Sequence, residues 1–192
     1  MLNADNPFRR YKLEPQQQVR KQQIGENQTI KTIRGAWKQC GVGSRTGVIR
    51  FYQKAYRLLR KIEYTAKDVE RFSIVLAELQ DDKEFGFRAG IFLSALINNC
   101  KEEEFVIFTN HLSKMVNYLG FSNRKNITVQ GNVGGLLGNE MRTGKITVNG
   151  NARMSVAPFM RGGEIHINGE IDSVSEYIAD GIIYQNGKRR PE

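Results

Sequence analysis

The sequence predicts an α+β chain in which an N-terminal helical layer or small bundle is followed by a short parallel β-helix of about three coils. Three observations predict it. Between residues 48 and 119 apolar side chains recur at intervals of three and four, the spacing of one face of a helix. That spacing stops near Gly120, where glycine becomes frequent. Beyond it a strand-and-glycine unit recurs with periods of 19, 19 and 18 residues. The expected organisation is a basic, partly flexible arm over residues 1–47, a helical domain over 48–120, the coils over 121–188 and a tail over 189–192.

The arm comes first. Residues 1–62 hold 14 Lys and Arg against 3 Asp and Glu, a balance of +11 that exceeds the chain's net +9, so all the excess positive charge sits there. Such a block binds phosphate backbones, an acidic surface or an acidic partner, and a solvated arm without any ligand has the same composition. Its candidate contacts are Arg9, Arg10, Lys12, Arg20, Lys21, Lys31, Arg34, Trp37 and Lys38. Cations among the aromatics Phe8, Tyr11 and Trp37 suit single-stranded nucleic acid, whose bases stack while its phosphates are neutralised. Ile30, Ile33 and Trp37 predict a short helix over about Thr29 to Gln39. The run Gly41-Val42-Gly43-Ser44-Arg45-Thr46-Gly47 then reads as a linker, or as an anion-binding nest; it has neither dinucleotide-fingerprint nor Walker spacing.

Four helices are expected next. The first carries a stripe of Ile49, Tyr52, Tyr56, Leu59 and Ile62. Thr65 caps the second, with Val69, Phe72, Val75, Leu76 and Leu79 on its inner face. The third, about Glu84 to Asn99, is apolar on most sides and should be the buried one. Glu102-Glu103-Glu104 opens a fourth that ends at Leu119, before Gly120.

The repeat predicts the coils. Ile127/Val129, Ile146/Val148 and Ile165/Ile167 alternate with Thr128, Thr147 and His166, placing aliphatic residues inside and the others outside. One coil per unit stacks the equivalents about 4.8 Å apart. Gly131, Gly150, Gly169 and Gly187 then fall at one bend, and Gly144, Gly163 and Gly181 at another, where glycine tolerates backbone angles that side chains make costly. Three coils need support, so the helices should cap the N-terminal end or cross a coil face.

Gly131-Asn132-Val133-Gly134, Leu137-Gly138, Met141, Gly144-Lys145-Ile146-Thr147-Val148, Gly150-Asn151-Ala152 and Met160-Arg161-Gly162-Gly163-Glu164-Ile165 together resemble the GXGXG repeat domain. That domain occurs in the glutamate synthase large subunit and in the C subunit of formylmethanofuran dehydrogenase. The resemblance covers about 60 of 192 residues. It implies a right-handed parallel β-helix with a structural and subunit-docking role, and it carries over no catalytic residue. The second unit departs from the pattern, with Arg153 and Ala157 where the first has Gly134 and Gly138.

Chemistry is sparse elsewhere. Cys40 and Cys100 stand alone, and His111 and His166 have neither Cys nor paired acids beside them, so no metal or cofactor is expected. Ser44, Ser155 and Ser173 lack the strand–turn–helix setting of an activated nucleophile. With no apolar leader and no apolar run of membrane length, a cytoplasmic location is expected. The expected function is a non-catalytic structural or docking module, partnered by another protein or a second copy of itself. The alternative is nucleic-acid binding through residues 1–62. The junction of helices and coils is a third place for a ligand.

Overall fold

A computed structural model describes residues 28–41 and 47–190. Four helices, α1 (Gln28–Cys40), α2 (Val48–Leu59), α3 (Ala66–Val75) and α4 (Phe85–Asn99), precede six strands. The strands are β1 (Glu104–Phe108), β2 (Asn126–Gln130), β3 (Lys145–Asn149), β4 (Arg161–Ile167), β5 (Asp180–Gln185) and β6 (Lys188–Arg189). They form one sheet in sequence order, β1 to β5 parallel and β6 antiparallel.

The expected column of aliphatic residues exists and is longer than the repeat announced. Phe105, Ile127, Ile146, Ile165 and Ile183 are register partners in turn, so the chain makes four coils. Ile107, Val129, Val148 and Ile167 form a second buried column, and Leu137, Met141, Val156 and Met160 close the core from other faces. The bridges Val133↔Ala152, Ala152↔Ile171 and Val156↔Val174 keep those faces in register as well.

The fourth helix is a correction. Glu102 to Leu119 is not helical: β1 and an irregular return make it the first coil, so the solenoid begins at Glu104 rather than at residue 121. Phe108, Leu112, Met115 and Leu119 mimic helical spacing by accident, while the local run Glu104-Phe105-Val106-Ile107-Phe108 alternates in burial as a strand does. Pairing with β2 decided the outcome, a tertiary override of a local pattern. The three acids serve this coil: Glu103 pairs with Lys125 at 2.5 Å, Glu104 accepts from Asn126 at 2.7 Å, and Glu102 accepts the amide of Ala66 at the start of α3.

The glycine bends are also partly reinterpreted. Gly150 has ordinary backbone angles; what it supplies is space, because a Cβ there would lie 2.5 Å from the Gly131 carbonyl oxygen of the coil before. Gly187 is no coil bend at all. With Asn186 (φ 49°) it makes the two-residue turn, φ 75° at the glycine, that reverses β5 into β6. Beside the first bend, amide side chains stack at coil spacing. Asn151 donates its backbone N–H to Asn132 Oδ1 at 2.8 Å, and the N–H of Glu170 donates to Asn151 Oδ1 at 2.9 Å. Each thereby satisfies a bend amide that no strand can.

Another regularity lies at the far bend. Every second residue there is left-handed: Tyr118, Gly120 and Ser122 in the first coil, Leu136, Gly138 and Glu140 in the second, Ser155, Ala157 and Phe159 in the third. Backbone hydrogen bonds hold the sets in register, from Gly138 N to Leu119 O and from Ala157 N to Leu137 O. Ala157 keeps the angle of the glycine it replaces, φ 63° against 67° at Gly138.

The helices cap the first coil, as expected. α4 lies on the coil, with the Asn117 N–H donating to the Gly86 carbonyl at 2.9 Å and the Phe121 N–H to Ser94 Oγ at 3.0 Å. α3 covers the outer edge of β1, where Ser73 Oγ accepts from Phe108 N at 3.1 Å. Thr65 and Asp68 make the reciprocal cap of α3. Helices and coils share one core. Within it the inner face of α2 is Phe51, Ala55 and Leu59, so the expected stripe is rotated and Ile49 points outward.

Both cysteines are free and buried. Burial pushes the Cys40 thiol from 9.0 up to about 11 against the pull of Lys54 and Arg88, and it raises Cys100, Tyr52 and Tyr64 too. In the unfolded chain these groups ionise first, so stability is full below about pH 9 and is lost as pH climbs toward the folded values. Cys40 alone contributes on the order of 2 kcal/mol. Urea midpoints measured across that range should fall, and a Cys40→Ala variant should show a shallower fall.

Candidate functional site

Two surfaces stand out once the fold is in place, and both lie where α2 meets the far bend of the coils. The first is apolar. Ile49 at the start of α2 and Phe159 on the third coil are 56% and 54% exposed and line one shallow cleft with Tyr118 and Phe121. Tyr177, 68% exposed, stacks on Phe159 from the next coil, ring centres 5.8 Å apart and planes 20° off parallel. Phe159 holds φ at 56°, a conformation that costs a bulky side chain about 1 kcal/mol or more. The side chain still leaves more than half of its surface to solvent.

The second surface is a cleft of about 650 Å³ lined by Tyr52, Gln53, Tyr56 and Arg57 from α2, Asn98 from α4, and Ser122, Arg124 and Arg142 from the coils. Asn98 Nδ2 donates to the Tyr52 hydroxyl and to the Phe121 carbonyl, both at 3.0 Å, and Arg142 Nε donates to Ser122 Oγ at 3.2 Å. The Tyr52 hydroxyl is pushed up by burial, while Asn98 and the charges of Arg124 and Arg142 pull the other way. No carboxylate lines the cleft.

The arm's expected contacts fare unevenly. Arg9, Arg10, Lys12, Arg20 and Lys21 lie outside the described residues, as does the stretch 42–46 of the glycine run. Lys31 and Lys38 are exposed on α1. Arg34 pairs with Glu78 at 2.6 Å. Trp37 is 3% exposed, packed against Phe72 and Phe92 with the Arg88 guanidinium over its ring; it is a core residue with no face left for a base. The cations that do gather are Arg57, Arg124 and Arg142. The last two were not legible in the sequence because they lie 18 residues apart, in no long basic run, and meet only through coil stacking.

The histidines are surface residues. His111 lies in the first coil's return, within 3.2 Å of the Ile74 carbonyl. His166 pairs with Glu164 at 2.8 Å and stacks on Tyr184 in the outward ladder. Among the described residues no three His, Cys, Asp or Glu side chains converge as a metal site, and no helix is long and apolar enough to cross a membrane.

The fold and these surfaces define a helix-capped parallel β-solenoid. No family model, curated protein or solved structure matches the chain.

Proposed function

We propose that the protein is a non-catalytic docking module: a single rigid body of helices and coils that presents the Ile49–Phe159–Tyr177 strip to a partner protein. The observation that carries this reading is Phe159, a large aromatic held outward at a left-handed position that a small residue would occupy more cheaply. An exposed apolar strip framed by polar surface is the usual mark of a protein contact. The likeness to GXGXG repeat domains supports the same reading, because there the coils serve docking rather than chemistry.

Asparagine tolerates left-handed angles, so Phe159→Asn combined with Tyr177→Ser removes the strip and spares the bend. Tagged full-length chain, purified from its native host with quantitative mass spectrometry, should retain a stoichiometric partner that this double variant loses at an unchanged unfolding midpoint. Equal retention by both proteins would sink the docking face. Turnover of an acyl, amide or phosphoryl substrate, abolished by one polar substitution, would sink the non-catalytic role.

A further inference from the structure

We infer that the arginine-lined cleft between α2 and the coils binds single-stranded nucleic acid, its phosphates on Arg57, Arg124 and Arg142 and a base against Tyr52 and Tyr56. This is independent of the apolar strip. The site is built from three separate parts of the chain, α2, α4 and the bends of two successive coils. Guanidiniums repel one another, and these three share a cleft with no carboxylate in its lining and no ion pair to a carboxylate among the described residues. An anion relieves that repulsion, and the planar fork of arginine matches phosphate oxygens.

The positive charge continues beyond the cleft in two directions, which favours a polymer over a single phosphate. Along α2 and the turn that follows it, the exposed side chains of Arg50, Lys54, Arg57, Arg60 and Lys61 succeed one another with no acid between Val48 and Ile62. That is roughly 18 Å of helix. Along the coils, Arg124, Arg142 and Arg161 occupy neighbouring rungs: the Arg142 N–H donates to the Asn123 carbonyl, and the Arg161 N–H to the Met141 carbonyl. Three rungs add roughly 10 Å. The two rows meet at Tyr52 and Tyr56, which are half-buried, lie 5.9 Å apart and line the cleft. Aromatic walls beside a basic row suit unpaired bases.

The site differs from the basic arm, because two of its three arginines lie far beyond residue 62. Fluorescence anisotropy of the full chain with labelled oligouridylate and oligothymidylate, between about 50 and 200 mM salt, tests it. Binding should weaken as salt rises. Arg124→Gln with Arg142→Gln should weaken it at least fivefold or so and flatten the logarithmic salt slope by about 0.7 per arginine removed. Tyr56→Leu should lower affinity and leave that slope unchanged. Arg153→Gln, whose native side chain faces Asp172 at 3.5 Å on another corner, is the control for losing a positive charge outside the cleft and should change little. Far-UV circular dichroism and unfolding midpoints show that each variant is folded. No binding by the wild type, or equal losses in the control and the cleft variants, overturns the inference. So does equal competition by polyglutamate, which would make the cleft a site for acidic peptides, or by inorganic phosphate, which would make it a site for a lone anion.

Discussion

Gly90→Ala is expected to destabilise the protein by about 3 kcal/mol or more, although it adds one methyl to a helix where alanine is ordinarily the better residue. The reason is the seam between α4 and the first coil. Gly86, Gly90, Ser94 and Asn98 follow one another every four residues and so share a face of α4. Along that face the coil's backbone comes within hydrogen-bonding distance: Ser94 Oγ donates to Gly90 O at 2.6 Å and reaches Tyr118 O at 3.2 Å. A Cβ on Gly90 would overlap the Asn117 carbonyl oxygen and crowd the Leu119 amide. Backbone cannot swing aside as a side chain can, so helix and coil must separate and their shared hydrogen bonds lengthen together. Gly35 on α1 has nothing within 4 Å of the same added atom and serves as the control. There the alanine should be neutral or stabilising by about 0.5–1 kcal/mol. Urea titrations followed by circular dichroism and by Trp37, the only tryptophan, read both. A Gly90→Ala midpoint equal to wild type would show that the seam yields and that the cap is loosely attached.

The second large effect is expected at Asp82→Ala, a loss of about 2–4 kcal/mol. Arg88 is buried on α4, its guanidinium ion-paired with Asp82, 4.4 Å above the Trp37 ring and donating to the Trp37 carbonyl at 2.8 Å. Burial pulls this guanidinium below its ordinary value, the signature of a charge held out of water. Deleting the carboxylate leaves that charge in place without its counterion, which costs more than the pair ever contributed. Replacing both residues, Asp82→Ala with Arg88→Met, removes the stranded charge and keeps most of the volume. The double variant should therefore unfold at a higher urea concentration than Asp82→Ala alone. If the single and double variants unfold together, the ion pair is solvent-screened and the tryptophan cluster stands without it.

The coils were legible in the sequence wherever neighbouring units are alike. Ile127, Ile146 and Ile165 recur with identical spacing because each must meet the same atoms above and below, and a ladder forces resemblance. The first coil was not legible. Its lower neighbour is a helix rather than a coil, so the constraint acts from one side only; Thr109 stands where later coils have Gly131, Gly150 and Gly169, and 22 residues separate Phe105 from Ile127. The signal present was the left-handed trio of Tyr118, Gly120 and Ser122, and only its central glycine announces itself in composition. The arginine cleft was illegible for a different reason. Arg57, Arg124 and Arg142 are joined by the way α2 rests against stacked bends, a relation that no local period encodes. The arm's charge was plain to read, yet Trp37, one of the three aromatics that lent it a nucleic-acid character, belongs to the interior.

A pile of parallel rungs has no inherent stopping point, and a second molecule could in principle lay its own first rung on the last one, as fibrils do. Here the chain turns back at Asn186-Gly187 and sets Lys188 and Arg189 against Tyr184 and Gln185 in the opposite sense, while α3 and α4 occupy the other terminus. A newcomer meets a short, doubly cationic, reversed edge. Growth end to end is thereby discouraged at both poles of the described residues.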